Sequence, residues 1–481
     1  MIERVAFRPA RHRMSSAQRK RTAERDRLYQ KYASRISVNA DLVRQVVSFQ
    51  ANKKEPFYRW LKFKEAFSSQ LVRYCIHTFR PLTENVPRIL DPFAGAGTTL
   101  TTSTILGWQA TGIELLPVGT AAMRARLKAD KAPVSAFEYY VGTLHKWMEK
   151  PADGSYRFPH LHITDGAFSR QTEQSISSYI LFTEQIEDQN IRYLFWFACL
   201  SVLEDVSYTR KDGQYLRWDS RSRRKLRSNF HKGKISDFWK AISQKLDTML
   251  EDMRWRNGGS YTSNVNIIEG SCLDVLPTLA HSSYDLILTS PPYCNRYDYT
   301  RTYALELAFL GYGEAAVKTL RQALLSATVE NKTKREYLRE EYLKRNEEGK
   351  FESALHAFST QRALHEVLEI LYRLREQRKL NNSNIPCMVE NYFLEMCFVI
   401  HDLARIIAPG GNIVMVNDNV QYHGEEIPVD LILSDFAEQA GLSVKAIWVL
   451  ARGKGNSSQQ MGIHGRKELR KCVYVWSKPM D

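Results

Sequence analysis

The sequence predicts an α/β fold: a mainly parallel sheet covered by helices and interrupted by two long, largely helical insertions. Three observations carry that expectation. Short apolar runs of strand length alternate with segments of helix length. Two of those runs end in turns of unusual composition, one glycine-rich after Asp91 and one with paired prolines after Ser290. The alternation also stops after about residue 130 and resumes at Val265, with a second break between residues 313 and 385.

Taken in order, residues 1–55 read as a basic N-terminal extension. Arg4, Arg8, Arg11, Arg13, Arg19, Lys20, Arg21, Arg25, Arg27 and Lys31 crowd its first part. That density suits an arm along phosphates and equally a solvated helix. Residues 56–130 form a first α/β segment. Arg88-Ile89-Leu90 is a strand entering the Asp91 turn, a helix runs from Thr98 until Gly107 stops it, and Gln109 to Ile113 is a second strand ending at Glu114. A helix follows to about Lys128. Strand, helix and strand in this order imply parallel pairing with right-handed crossovers.

Residues 131–262 form the first insertion. Ile191, Leu194, Phe195, Ala198 and Val202 repeat at helical spacing and suit a buried helix. Next comes a basic stretch, residues 215–234, in which Tyr215, Trp218 and Phe230 interleave with Arg217, Arg221, Arg223, Arg224, Lys225, Arg227, Lys232 and Lys234. Such a mix suits contact with a polyanion and equally a solvated basic hairpin or helix. Residues 263–312 return to strands, at Val265 to Ile268 and Tyr284 to Leu288. Residues 313–385 are the second insertion: a mixed-charge helix from Glu330 to Lys350, then a core-facing stripe of Leu364, Val367, Leu368, Leu371 and Leu374. Residues 386–478 close the sheet. A helix from Tyr392 to Ile407 stops at Pro409-Gly410-Gly411, and strands follow at Ile413 to Val416, Val444 to Leu450 and Cys472 to Trp476.

The balance of charge narrows the partners. A chain of 481 residues is long enough for a full core, and 43 % hydrophobic with 25 % charged residues is ordinary for a globular protein. A formal charge of +15 is not ordinary; it creates a field that attracts a polyanion. Seven dispersed cysteines argue against a disulfide framework and against a zinc site. No apolar segment follows the basic N-terminus and no run approaches the roughly 20 residues that span a bilayer. A cytoplasmic protein without metal or membrane is the expectation.

Two motifs carry the chemistry. The first is Asp91-Pro92-Phe93-Ala94-Gly95-Ala96-Gly97-Thr98-Thr99. Gly95 and Gly97 let the backbone approach a ligand, and the N–H groups at the following helix start favour an anionic group. The loop lacks the lysine of an ATP-binding phosphate loop. Glu114, at the end of the next strand, stands where an acidic side chain holds ribose hydroxyls in dinucleotide-type sites; alone it would be a surface carboxylate. The second motif is Ser290-Pro291-Pro292-Tyr293. Its prolines fix φ and withdraw donors, leaving a stiff loop of carbonyl acceptors. Acceptors at Ser290 and Pro291 suit N–H donors of a ligand, and Tyr293 offers an aromatic stacking face.

Together the two strings resemble the cofactor and catalytic loops of S-adenosyl-L-methionine-dependent DNA amino-methyltransferases, and the resemblance covers roughly residues 56–130, 263–312 and 386–478. It implies a Rossmann-like class I methyltransferase sheet, with S-adenosyl-L-methionine held by Asp91, Pro92, Phe93, Ala94, Gly95, Gly97, Thr98, Thr99 and Glu114. It places an adenine-reading acidic side chain at Asp274, in Gly270-Ser271-Cys272-Leu273-Asp274. Lys64-Glu65-Ala66-Phe67-Ser68-Ser69 looks like the family's N-terminal cofactor motif, which would add Phe67 and Ser68; those two also suit a packed helix start. Ser290, Pro291, Pro292 and Tyr293 become the catalytic loop acting on a base flipped from duplex DNA.

In this family Ser-Pro-Pro-Tyr occurs mainly in cytosine-N4 enzymes, and Asp- or Asn-Pro-Pro-Tyr mainly in adenine-N6 enzymes. The resemblance therefore implies N4-methylation of cytosine, with adenine N6 as the alternative. A carbon-5 mechanism needs a nucleophilic cysteine framed by its own loop; Pro386-Cys387 has none and reads as structural, and Cys294 follows Tyr293 rather than a proline. An RNA amino-methyltransferase and a non-catalytic nucleic-acid-binding protein on the same fold remain further alternatives. Arg221, Arg223, Arg224, Lys225 and Arg227 are the candidate contacts to double-stranded DNA, with the cationic loop 451–471 a second candidate. Such enzymes often serve restriction-modification or phage defence, which implies a cognate restriction or defence-system protein as partner.

Overall fold

The computed structural model describes residues 22–480 except 82, 150–155, 213–214, 223, 225–228, 256–263, 451–453 and 456–467. Its centre is an eight-stranded sheet: β1 (Ile36–Val38), β2 (Arg88–Asp91), β3 (Gln109–Glu114), β4 (Val265–Glu269), β5 (Tyr284–Thr289), β6 (Ile407–Asp418), β7 (Ser443–Val449) and β8 (Lys471–Ser477). The spatial order is β1-β7-β8-β6-β5-β2-β3-β4. All neighbours are parallel except β8, which runs antiparallel to both β6 and β7. This is a Rossmann-like methyltransferase sheet, as the sequence predicts.

The central strands β2 and β5 carry unbroken apolar runs, Ile89-Leu90 and Leu286-Ile287-Leu288, because both sheet faces are covered there. Leu90, Ile287, Ile413 and Met415 pack into a core with the helices Ile385–Ile406 and Val429–Gln439. Their chain neighbours Ile89, Leu286, Leu288 and Val414 pack the opposite way, against the helix Ser69–Thr78. Successive side chains on a strand alternate in direction, so one apolar run supplies two cores.

The first insertion contributes the helices Val134–Trp147, Arg170–Glu184, Gln189–Val206 and Phe238–Trp255 and the hairpin Thr209–Asp212 with Tyr215–Trp218. The expected buried helix is present: Ile191, Leu194, Phe195, Ala198 and Val202 are all buried. Its core is continuous with Phe57, Trp60 and Phe63 before it in sequence and with Tyr303 to Phe309 after the Ser290–Tyr293 turn.

The second insertion differs in detail from its expectation. The mixed-charge segment is two helices, Arg335–Lys344 and Glu348–Thr360, broken where Asn346 takes a φ of +57°. Asparagine tolerates that left-handed conformation better than most residues, and the break lets Leu338, Tyr342 and Phe351 all face one core. The leucine stripe lies on the helix Arg362–Glu376. The helix Ile385–Ile406 starts earlier than the expected Tyr392, because Pro386 fits the first turn, where no N–H is needed. It ends at Ile406, and Pro409-Gly410-Gly411 lies inside β6, with Gly410 at φ +73°.

The N-terminal helix Ala23–Tyr32 is docked rather than free. Arg25 pairs with Glu366 at 2.7 Å, and Lys31 pairs with Asp435 and Glu438, each at 2.7 Å. Arg4 to Arg21 lie outside the described residues. All seven cysteines are free thiols; Cys387 sits in the first turn of its helix beside Tyr372.

Candidate active site

The ends of β2, β3, β4 and β5 open on one cleft. Its lining brings together segments far apart in sequence: Phe63 to Phe67, Asp91 to Gly95 with Thr98, Ile113 to Leu116, Gly270 to Cys272, Ser290 with Pro292, Tyr299, and Ala323 to Leu325. Both sequence motifs therefore meet at one place, as expected where a parallel sheet changes winding direction.

Asp91 is the hinge between them. Its carboxylate accepts from Thr289 Oγ1 at 2.8 Å, Thr99 Oγ1 at 2.6 Å and the Phe93 N–H at 3.1 Å. One buried side chain thus fixes the start of the glycine loop, the following helix and the strand before Ser290. Burial pushes its carboxyl up to about 6, against the lowering effect of those three bonds. Gly95 and Gly97 have φ of +51° and +77°; a Cβ on Gly97 would lie 2.4 Å from Met123 Cγ. Loop geometry and packing both require glycine there.

Glu114 closes the other side. Its carboxylate accepts from the Gly95 N–H at 2.5 Å and the Leu116 N–H at 2.6 Å, so it ties the glycine loop to the end of β3. Burial pushes it up to about 7, despite both donors. Gly119 permits this closeness: a Cβ there would stand 2.5 Å from the Gly95 carbonyl oxygen and 3.0 Å from Glu114 Cγ.

The catalytic-loop candidates are compactly held. Ser290 Oγ lies 3.2 Å from both the Tyr293 hydroxyl and the Val416 carbonyl. Tyr293 is half-buried, with Lys471 Nζ 5.9 Å from its ring centre and Asp418 3.7 Å beyond that ammonium. Burial raises the Tyr293 hydroxyl above its ordinary value, so it stays protonated. Ser290 and Pro292 reach the cleft; Pro291 and Tyr293 do not line it and stand behind that rim.

The remaining candidates divide. Phe67, Pro92, Phe93 and Ala94 line the cleft. Ser68 instead caps the helix Ser69–Thr78 and donates to the Val46 carbonyl at 2.6 Å. Thr99 faces Asp91 rather than the cleft. Asp274 does not line it either; its carboxylate accepts from Tyr337 of the second insertion, and the neighbouring Ser271 and Cys272 line the rim.

Several lining residues escape the motif reading. Glu65 accepts from the Tyr303 hydroxyl at 2.5 Å and from Tyr297; its place inside the Lys64 to Ser69 string was the available signal. Tyr299 lies in Asn295-Arg296-Tyr297-Asp298-Tyr299, which is similar to the family's continuation of the Ser290 loop but carried no assigned role. Leu324 and Leu325 carry no local signal. They are set by Lys334, which bonds the Leu324 carbonyl at 3.0 Å and both Glu395 oxygens at 2.9 Å in a buried clamp with Ser326.

Just after the hairpin, Arg221 grips Asp219 at 2.7 and 2.8 Å, and Arg224 lies 4.1 Å over the Trp218 ring while donating to the His162 carbonyl at 3.1 Å. These cations are spoken for internally as well as facing outward. Arg223, Lys225 and Arg227 lie outside the described residues, as does most of the 451–471 loop. Among the described residues no cluster of His, Cys, Asp and Glu is arranged for a metal ion, and no helix is long and apolar enough to cross a membrane.

No family model matches the chain. Whole-length relatives do. It is 46 % identical over 462 residues to the type II methyltransferase M.AvaI of Nostoc sp. and of Anabaena variabilis, covering 94 % of this chain and 92 % of each relative. It is 37 % identical over 481 residues to the type II methyltransferase M.BsoBI of Geobacillus stearothermophilus, covering 95 % and 92 %. Similarity to M.MvaI of Kocuria varians is lower, 22 % over half of each chain. With two strand-end motifs converging on one cleft and near-complete alignment to such relatives, the chain belongs to the type II methyltransferase family.

Proposed function

We propose that this chain is a site-specific DNA methyltransferase that moves a methyl group from S-adenosyl-L-methionine to the exocyclic N4 amine of a flipped-out cytosine. One observation carries the reading: Ser290 and Pro292 line the same cleft as Gly95 and Glu114. A carbonyl-rich amine acceptor and a nucleoside-type pocket then share one wall.

The lining fits that cofactor chemically. Glu114 offers oxygens at the end of β3 for ribose hydroxyls, and the glycine loop with the start of the helix Thr98–Ile105 offers N–H groups for the methionine carboxylate. Phe67, Phe93, Ile113, Leu324 and Leu325 provide apolar walls for a flat base. Asp274 is engaged by Tyr337, so we assign it to anchoring the Gly270–Cys272 turn, with the adenine contact on that turn. When bound, the cofactor supplies the methyl group. Asp91, Thr99, Gly97 and Ser68 act from behind by holding the loop and the adjoining helix in place.

On the acceptor side an aryl amine is a weak nucleophile, since its lone pair is delocalised into the ring. Ser290 Oγ and the Pro291 carbonyl accept its two N–H bonds and favour a pyramidal nitrogen. Tyr293 stacks on the extruded base and offsets part of the few kcal/mol that unstacking costs. Positioning supplies much of the acceleration, without a covalent enzyme intermediate. The +15 charge draws the duplex in, and we place the hairpin with Arg221 and Arg224 along its phosphates. A cognate restriction protein completes the proposed setting.

The test is incubation with labelled cofactor and unmethylated duplex DNA, then nucleoside mass spectrometry. N4-methylcytosine supports the assignment. N6-methyladenine replaces it with the adenine alternative, and label confined to RNA removes the DNA reading.

A further inference from the structure

Lys211 belongs to the strand Thr209–Asp212 of the first insertion, yet its contacts lead to the wall of the cleft. Its ammonium pairs with Glu306, both side chains nearly sealed from solvent at 3 % and 2 % exposed. The ammonium also lies 4.3 Å from the centre of the Tyr303 ring. The Lys211 N–H donates to Glu204 at 3.0 Å, and its carbonyl accepts from the Lys64 ammonium. Tyr303 in turn stacks on Phe63 at 5.2 Å and donates to Glu65. Phe63 and Glu65 line the cleft. Glu306 Oε2 is buried without a hydrogen-bond partner among the described residues, and Lys211 is the cation paired with that carboxylate.

Two charges taken this far from water add little stability over an apolar pair of the same shape; what they can fix is registry. Here the registry joins the hairpin that carries Arg217 and leads into Arg221 and Arg224 to the segment Phe63 to Phe67. We propose that Lys211 is a positioning residue for the cofactor pocket, and that through it duplex DNA held by the hairpin alters cofactor affinity. The proposal rests on the methyl-transfer reading above. By linkage, the cofactor alters DNA affinity by the same factor.

The experiment uses the full chain with S-adenosylhomocysteine as calorimetric probe, with and without unmethylated plasmid duplex, alongside initial rates. Lys211→Met removes the charge, Lys211→Arg keeps it, and Tyr303→Phe removes only the hydroxyl that reaches Glu65. Lys211→Met and Tyr303→Phe should raise KM for S-adenosylmethionine about fivefold or more while kcat changes little, a split that marks lost binding rather than lost chemistry. Lys211→Arg should recover most of the affinity. Duplex should tighten the probe in the wild type and leave Lys211→Met unaffected. A folded Lys211→Met with unchanged KM, or one that loses kcat at constant KM, overturns the proposal. If Lys211→Met does not fold, Tyr303→Phe decides, and an unchanged KM there overturns it too. The titrations without duplex stay readable whichever base is methylated, so a wrong acceptor assignment is told apart from a wrong role for Lys211.

Discussion

With Glu114 holding the ribose as proposed, cofactor binding becomes a titration. Burial holds its carboxyl near 7 in the free protein, while a carboxylate that accepts ribose hydroxyls must be ionised. Binding therefore expels a proton, and the apparent Kd scales as one plus the protonated-to-ionised ratio of the free site. With that value of about 7, S-adenosylhomocysteine should bind about tenfold more weakly at pH 6 than at pH 8. Calorimetry at pH 6, 7 and 8, in buffers of different ionisation heat, reads both the affinity and the released proton. Glu114→Gln removes the titration. It also sets an amide donor against the Gly95 or Leu116 N–H, costing about 1–3 kcal/mol, so its affinity should be low at every pH. An affinity independent of pH in the wild type, or a pH dependence that survives in Glu114→Gln, refutes the reasoning. The same group sets a stability trend. Its folded value lies above the ordinary 4.5, so the free protein holds an extra proton between about 4.5 and 7. The stability this gives is lost as pH rises through that window. Asp91, held near 6 against an ordinary 3.8, acts in the same direction. Thermal melts of the free protein should fall from pH 5 to 7, and saturating cofactor product should flatten the trend.

Three further outcomes follow from the geometry. Tyr293→Ala should lower kcat/KM toward DNA by about tenfold to a hundredfold, the equivalent of lost base stacking, while S-adenosylhomocysteine affinity holds. Gly119→Ala forces a methyl group to 2.5 Å from the Gly95 carbonyl; an overpacked contact of this kind costs about 1–3 kcal/mol, seen as a lower melting temperature and weaker cofactor binding together. Lys334→Met leaves Glu395 buried without its cation, a loss of about 3–5 kcal/mol in urea unfolding, whereas Lys334→Met combined with Glu395→Leu should recover much of it.

What was legible in the sequence was local. Residues 88–99 and 284–293 announce strand, turn and helix through apolar runs, glycines and prolines a few positions apart, and those signals survive any surroundings. Which sheet face each residue of β2 and β5 takes was not legible, because an unbroken apolar run looks the same on both faces; the packing decides it. The clamp of Lys334 on Glu395 was not, because its partners are 61 residues apart and each alone reads as a surface charge. The same holds for Lys211 with Glu306, 95 residues apart. The break at Asn346 escaped detection because a mixed-charge run carries helix propensity right through it, and tertiary packing of Tyr342 and Phe351 decides. Asp274 was placed by position in a motif; only the structure shows Tyr337 already bonded to it.

The cleft borrows its walls from Phe63 through Leu325, and the clamp that sets the last wall waits for Glu395. That spread has a meaning in time. A ribosome making about 5–20 residues per second delivers Glu395 roughly 15–60 s after Asp91. Throughout that interval the nascent chain carries the glycine loop without the wall that completes it. A chain cut short before the helix Ile385–Ile406 lacks the partner that sets Leu324 and Leu325, and should bind S-adenosylhomocysteine more weakly than the full chain.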